Sequence, residues 1–302
     1  MPTAKTTSVA KPTNEATAGC LYVVATPIGN LEDITMRALR ILKEADVIAC
    51  EDTRQTSKLL SHFGIQTRLV SYHEHNEMMR AAELIIELEQ GAKVALVSDA
   101  GTPAISDPGH RLVSLSLRHG IKVVPVPGAS AFVAALAASG MPTEQFLFVG
   151  FLPSRQSERR KALRVLGEEP RTLVLYEAPH RLLDSLEDAL EILGNRRAMI
   201  AREVTKVYEE FLRDHLENLV EHIRKKPPRG EITVVIGQAD GQPQHHLEIA
   251  GASALPLARR IDEIIKEKRV DKKAALKQAA RERGLTKREA YKQLLVTRDE
   301  SA

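Results

Sequence analysis

Short apolar runs alternate with amphipathic stretches through the first 240 residues, and that alternation predicts the elements. Residues 21–25 (LYVVA), 46–50 (DVIAC), 67–71, 94–97 and 122–127 are short and apolar, as buried strands are. Between the first two, residues 33–45 place apolar side chains at 34, 38, 41, 42 and 45, the stripe of a helix. Residues 55–60, 79–90, 111–118 and 132–139 read as further helices. Repeated strand, polar loop, helix and strand build a parallel α/β layer. Pro125 and Pro127 put the fifth strand at a sheet edge or end, because proline donates nothing to a ladder.

The stretch at 141–145 (MPTEQ) breaks the pattern, and a second α/β series follows. Strands are expected at 146–152, 171–176, 198–203, 209–213 and 231–236, with helices at 157–166, 182–193 and 216–225. Residues 241–254 are rich in Gly, Gln, His and Ala and read as a linker. Beyond them, 257–267, 272–284 and 286–295 read as three helices. Ala280, Gly284 and Ala290 have the spacing of a helix-turn-helix, and a plain three-helix packing module fits equally. Residues 1–18 lack the apolar run of a signal peptide and read as a disordered tail. The expected layout is a tail (1–18), a first α/β domain (19–142), a second (143–240), a linker (241–254) and a helical module (255–302).

Composition changes this picture in one place. The chain of 302 residues has a net charge of only +3, yet residues 256–298 hold 14 Lys and Arg against 6 Asp and Glu. A basic excess confined to one end fits an acidic partner such as nucleic acid, met chiefly by that end. No apolar run approaches the roughly 20 residues of a membrane span. Cys20 and Cys50 give neither a disulfide framework nor a metal spacing, so a reducing cytoplasm is the expected compartment.

The candidate chemistry lies in the loops. After the strand at 94–97 comes Ser98-Asp-Ala-Gly-Thr-Pro-Ala-Ile-Ser-Asp-Pro-Gly109, at the carboxyl end of a parallel strand, where α/β sheets bind ligands. Asp99 offers an acceptor there, Gly101 allows close backbone approach, and Asp107 reads as turn chemistry. Gly128 and Ser130 open a helix whose free N–H groups suit a carboxylate or phosphate. His73 and His75 alternate along an extended segment with no cluster to complete them, so no metal is assigned. There is no P-loop, dinucleotide fingerprint or nucleophile elbow, so a hydride-transfer or NTPase reading lacks support. Several Gly/Pro loops carrying Asp, Ser and Thr suit a neutral or zwitterionic small ligand.

Taken together, Thr26-Pro-Ile-Gly-Asn-Leu-Glu-Asp-Ile-Thr35, Glu51-Asp-Thr-Arg54, Tyr72-His-Glu-His-Asn-Glu77, the 98–109 loop and Pro127-Gly-Ala-Ser-Ala131 resemble the tetrapyrrole-methylase-type (class III) methyltransferases. Within them the likeness is to the small-subunit ribosomal RNA methyltransferase I branch. Glu177-Ala-Pro-His-Arg181, Arg202-Glu-Val-Thr-Lys206 and Gly230-Glu-Ile-Thr-Val-Val235 continue it, so that it covers about residues 20–240, and the basic C-terminal piece is similar to that branch's extra domain. The fold so implied is a two-domain α/β class III methyltransferase with a small all-helical C-terminal module.

The resemblance implies methyl transfer from S-adenosylmethionine to the ribose 2′-hydroxyl of a cytidine in the decoding region of 16S ribosomal RNA. It also implies a cytoplasmic homodimer, with no membrane partner. By position, Pro27, Asp99, Thr102, Ser130, Ala131, Ala178 and Thr233 would meet the methyl donor. A ribose hydroxyl needs a base, for which Glu177, His180 and Lys206 stand first and Glu51, Asp52 and His73 second. The 98–109 loop is expected to bind the donor and not to supply that base. Arg54, Arg181, Lys272, Lys273, Lys287 and Arg288 are the expected RNA contacts, with Arg54, Arg181 and also Lys206 as phosphate contacts. Two other readings stay open. One is methylation of a tetrapyrrole or other small substrate on the same fold, and the other is a nucleic-acid-binding regulator whose α/β body senses a ligand.

Overall fold

The structure, a computed structural model, describes residues 19–238, 261–262, 264–266 and 270–282. The chain divides into two compact units, Met1–Asp240 and Gly241–Ala302.

In the first unit, five parallel strands form a sheet in the order β3-β2-β4-β1-β5: β1 (Cys20–Val24), β2 (Val47–Cys50), β3 (Arg68–Ser71), β4 (Lys93–Leu96) and β5 (Lys122–Val126). β5 lies at the edge, where Pro125 costs no ladder bond. Alternate strand residues feed two cores. Leu21, Val47, Ala49, Val94 and Leu96 face α3 (Glu77–Glu89) and α4 (His110–Arg118). Ile48, Cys50, Ala95 and Val97 face α1 (Met36–Glu44) and α2 (Thr53–His62). Thr35 and Asp52 cap α1 and α2, each side chain accepting a backbone N–H of the first turn.

α5 (Ala131–Ser139) is apolar on every side; Ala135, Leu136 and Ser139 are buried, while Val133 on another face is exposed. Its Ala135 and Leu136 join Ile28 of the first half to Val174, Met199, Ala201 and Val235 of the second. The sequence boundary at 141–145 therefore falls after a helix that already packs on the second sheet.

That sheet has the order β6-β7-β10-β8-β9, formed by β6 (Phe146–Phe151), β7 (Thr172–Glu177), β8 (Arg197–Arg202), β9 (Glu210–His215) and β10 (Ile232–Ile236). Only β6 and β7 run parallel; β10 inserts antiparallel between β7 and β8, and β8 and β9 form a hairpin. α6 (Gln156–Gly167), α7 (Leu182–Leu193) and α8 (Leu216–Lys225) cover its far face with a core of leucine, isoleucine and valine. In the second unit, Ile261 and Ile264 pack with Ala275, Leu276 and Ala279 of α9 (Lys272–Glu282), whose first turn is capped by Asp271. Among the described residues no helix is long and apolar enough to cross a membrane.

Candidate active site

β1 and β4 lie side by side, yet the helices after them cover opposite faces of the sheet. Such a switch leaves a crevice at the strands' carboxyl ends, because the two connections diverge there. The loops fill and define it. Thr26 N–H donates to the Gly101 carbonyl at 2.9 Å, and Gly101 N–H returns a bond to Thr26 at 3.1 Å. The Thr26 hydroxyl donates to Ser98 at 3.1 Å and the Thr102 hydroxyl to Ala129 at 3.3 Å. The turns after β1, β4 and β5 thus form one wall. Gly101 holds φ +83°, and a Cβ on Gly128 would stand 3.0 Å from that of Ala25, so both glycines are needed for this approach.

Between that wall and the second half lies a cleft of about 370 Å³. Ile28, Thr102, Ile105, Asp107, Ser130 and Ala131 line it from the first half. Phe151, Tyr176, Ala178, Val204, Ile232 and Thr233 line it from the second. Phe132 stacks on Phe148, which meets Tyr176 edge-on, and Phe151 packs against Tyr176, giving an aromatic end to the cleft. α5 begins at the cleft, and its N-cap Ser130 makes no side-chain capping bond, so the positive end of the helix faces the cavity with a free hydroxyl beside it. Ala104, Ser106, Glu203 and Thr205 hold left-handed backbone conformations, in the two loops that contribute Ile105, Asp107 and Val204. Strain of this kind concentrates where a loop must present a site.

Asp107 is the charged group the first half adds to the cleft. Burial, and then the nearby Glu51 carboxylate, push its pKa up to about 6. Thr102, Ser130, Ala131, Ala178 and Thr233, all expected at the donor, line this cleft. Pro27 and Asp99 do not: Pro27 is buried, and Asp99 accepts the Asp52 N–H at 3.1 Å, bracing the β2–α2 turn.

Of the first three base candidates, two are held in bonds of their own. Glu177 lines the cleft but is 3% exposed, accepting the Ser185 hydroxyl at 2.5 Å and the Ala178 N–H at 2.8 Å, with Arg181 3.4 Å away. Lys206 sits 2.9 Å from Glu203 and 3.2 Å from Glu231; burial opposes its charge, but the two carboxylates outweigh it and raise the pKa, holding an ammonium that takes up no proton. His180 is exposed and outside the cleft lining. Asp52 is a cap: its bonds from Arg54 lower its pKa to about 2. His73 is half-buried after β3; its backbone N–H donates to the Asn76 side chain, and its ring Nδ1 is buried with no hydrogen-bond partner among the described residues. Glu51 is half-buried, its pKa raised by burial and then by Asp99. Of the six candidates, only Glu51 lines the second cavity that adjoins the cleft, one of about 680 Å³ that shares Ser106 and Asp107 with it.

The expected RNA contacts divide as well. Arg54 is exposed beside Asp52, whereas Arg181 turns inward to the Leu152 and Pro153 carbonyls at 2.6 and 3.2 Å and is not free to hold a phosphate. Lys272 and Lys273 are exposed on α9; Lys287 and Arg288 lie outside the described residues. Among the described residues no group of three or more His, Cys, Asp or Glu is placed to hold a metal ion. Sequence reading missed Asp107 as a cleft residue, and with it Phe151 and Tyr176. The aromatic pair had one legible signal, large side chains at the carboxyl ends of strands.

The sequence model of the tetrapyrrole (corrin/porphyrin) methylases matches residues 20–220. Ribosomal RNA small subunit methyltransferase I of Halalkalibacterium halodurans is 52% identical over 273 residues, 90% of this chain and 93% of that one. Its namesake in Pseudomonas aeruginosa is 47% identical over 94% of this chain and 99% of its own. The chain belongs to the tetrapyrrole methylase family, in its ribosomal RNA small subunit methyltransferase I branch. The fold of this tetrapyrrole methylase is shared with solved structures of low identity. Uroporphyrin-III C-methyltransferase of Thermus thermophilus superposes with a TM-score of 0.52 at 24% identity, covering 72% of this chain and 94% of that one. A crystal structure of the same methyltransferase with S-adenosyl homocysteine gives 0.51 at 24%, covering 72% and 97%. A diphthine synthase gives 0.55 at 19%, covering 72% and 90%.

Proposed function

We propose that this methylase transfers a methyl group from S-adenosylmethionine to the ribose 2′-hydroxyl of a cytidine in 16S ribosomal RNA. Its substrate is the rRNA or the small ribosomal subunit, and it works as a cytoplasmic homodimer. The observation that carries this reading is the identity to rRNA small subunit methyltransferases along nine tenths of the chain, basic end included. The tetrapyrrole alternative leaves that basic end without a purpose, and a ligand-sensing regulator leaves the methylase cleft without one.

The cleft's chemistry suits the donor. Its volume falls in the range of small-ligand sites. The aromatic end offers stacking to a purine, the start of α5 and Ser130 receive a carboxylate, and the Asp107 carboxylate attracts cationic ammonium or sulfonium groups. The bound donor supplies an already activated methyl group, so the protein's task is positioning and removal of one proton. The sugar oxygen bonds to the methyl carbon while the carbon–sulfur bond breaks, its electron pair remaining on sulfur. The hydroxyl proton leaves to Glu51, whose raised pKa makes it a stronger acceptor than an ordinary carboxylate. Lys206 and Glu203 hold the β8–β9 loop against the turn at Gly230, where a Cβ would meet Glu203 at 2.3 Å.

The test is transfer of label from S-adenosylmethionine to small subunits or 16S rRNA lacking the modification. Label recovered as a 2′-O-methylcytidine is the expected result; none in any rRNA fraction overturns the reading. Replacing Glu51 by Gln lowers kcat at least 100-fold while Lys206→Met and His180→Ala stay within 10-fold, and a Glu51→Gln enzyme of full rate removes Glu51 as base.

A further inference from the structure

The cavity beside the donor cleft has no assigned occupant. α4 lines it with His110, Arg111, Ser114 and Arg118, which share one face because 111, 114 and 118 are three and four apart. Glu51, just after β2, Glu74, in the turn before α3, and Glu77, the first residue of α3, line it as well. Ser106 and Asp107 belong to the lining of this cavity and of the donor cleft alike, so the two chambers meet at those residues. A methyl group crosses only a bond length in such a reaction, so the acceptor must be bound at the place where the donor's chamber ends.

We propose that this second cavity is the subsite for a single target nucleotide, turned out of its RNA strand, and that its carboxylates favour cytosine. The inference rests on the reading of the preceding section and deepens it. Three features of the lining carry it. Its volume of about 680 Å³ exceeds that of the donor cleft and leaves room for base, sugar and phosphate together. Its charge is mixed: Arg111 is paired with Glu77 at 3.3 Å, which leaves three carboxylates against the Arg118 guanidinium and disfavours a free polyphosphate. They suit a ligand with one phosphate and several donors, which is what one residue of an RNA chain presents. Arg118 is exposed and pairs with no acid among the described residues, so its guanidinium is available to the phosphate. Glu74 likewise carries no ion pair among the described residues. A carboxylate there accepts from the cytosine amine and repels the carbonyl that uracil has in its place. A cavity of this size can enclose base, sugar and phosphate only once that nucleotide has left its stack on the neighbouring bases.

Two measurements test this in the full-length protein. In the first, cytidine 5′-monophosphate is titrated into the isotope-labelled protein and amide chemical shifts are followed. Changes at Ser106, His110, Ser114 and Arg118 are expected, weaker with uridine 5′-monophosphate. No change, or changes confined to another surface, overturns the subsite whether or not rRNA is the substrate. In the second, Ser114→Trp fills the cavity from α4, and Arg118→Glu reverses its exposed charge without entering a core. Each is expected to lower kcat/KM for rRNA at least 30-fold while S-adenosylhomocysteine binding stays within 3-fold of the parent. Undiminished transfer by both variants refutes the subsite, whereas failure of the parent enzyme to methylate rRNA refutes the earlier reading and leaves the nucleotide titration to decide the cavity. Glu74→Gln should narrow the preference for cytidine over uridine at the target position.

Discussion

Asp107 shows how much a single residue's meaning depends on its surroundings. In the string Ser-Asp-Pro-Gly it is the side chain a turn prefers, and nothing in the letters says that the turn faces a cavity. In the fold it lines the donor cleft, and burial followed by the charge of Glu51 lifts its pKa to about 6. Two consequences have definite signs. A cationic donor binds the ionised form, so affinity for S-adenosylmethionine should be full above about pH 6 and fall as pH drops through it. Calorimetry on Asp107→Asn should show affinity lowered at least 10-fold at pH 7.5 and nearly independent of pH. The raised pKa also means that the folded protein holds this proton more tightly than the unfolded chain. The group's contribution to stability is therefore present at low pH and lost as pH rises from the ordinary carboxylate range through about 6. Ligand-free Asp107→Asn should accordingly melt at a higher temperature than the parent at pH 7.5. Glu177 and Arg181 teach the converse: both stand in a motif and carry suitable chemistry, yet they are turned on each other and on backbone groups.

At the scale of elements, α6 and α7 are joined by a buried ionic cluster. Asp188 and Arg159 are each 4% exposed and 2.7 Å apart, and Arg160 reaches the same carboxylate at 2.8 Å. Burial penalises the Asp188 charge, but the two guanidiniums outweigh it and its pKa is lowered. Removing one partner strands a buried charge, so Asp188→Ala should cost about 3–5 kcal/mol, read from the urea midpoint. The depressed pKa adds stability above the ordinary carboxylate value and loses it as pH falls through the folded one, so the difference between parent and variant should shrink in acid. Helix positions, the edge placement of β5 and the caps of α1 and α2 follow from local pattern, and were legible. The antiparallel insertion of β10 between β7 and β8 was not, because a buried strand reads VVI in either direction.

For the whole molecule, the chain concentrates positive charge at one end, while the cleft and its adjoining cavity belong to the other unit. Lys272, Lys273 and Lys277 are exposed on α9. If they meet phosphates, changing all three to Glu should weaken rRNA binding and reduce the slope of log affinity against log salt by about 2 to 3, at roughly 0.7–0.9 for each phosphate no longer neutralised. Donor affinity should not change, and an unaltered slope would assign α9 to packing alone. By itself the sequence determined the alternating α/β order, the basic C-terminal end, the family and the loops that gather at the cleft, since all of these reside in local pattern and in the order of motifs. Only the tertiary structure decided which side chains in those loops face ligand and which face one another. It alone placed Asp107 and Glu51 at the two chambers and withdrew Glu177, Lys206 and Arg181 into structural bonds. The physical reason is that burial and charge pairing are properties of residues far apart in the chain: Glu51 and Asp107 owe their raised pKa values first to burial and then to carboxylates, Asp99 and Glu51 respectively, that come close only when the loops after β2 and β4 meet.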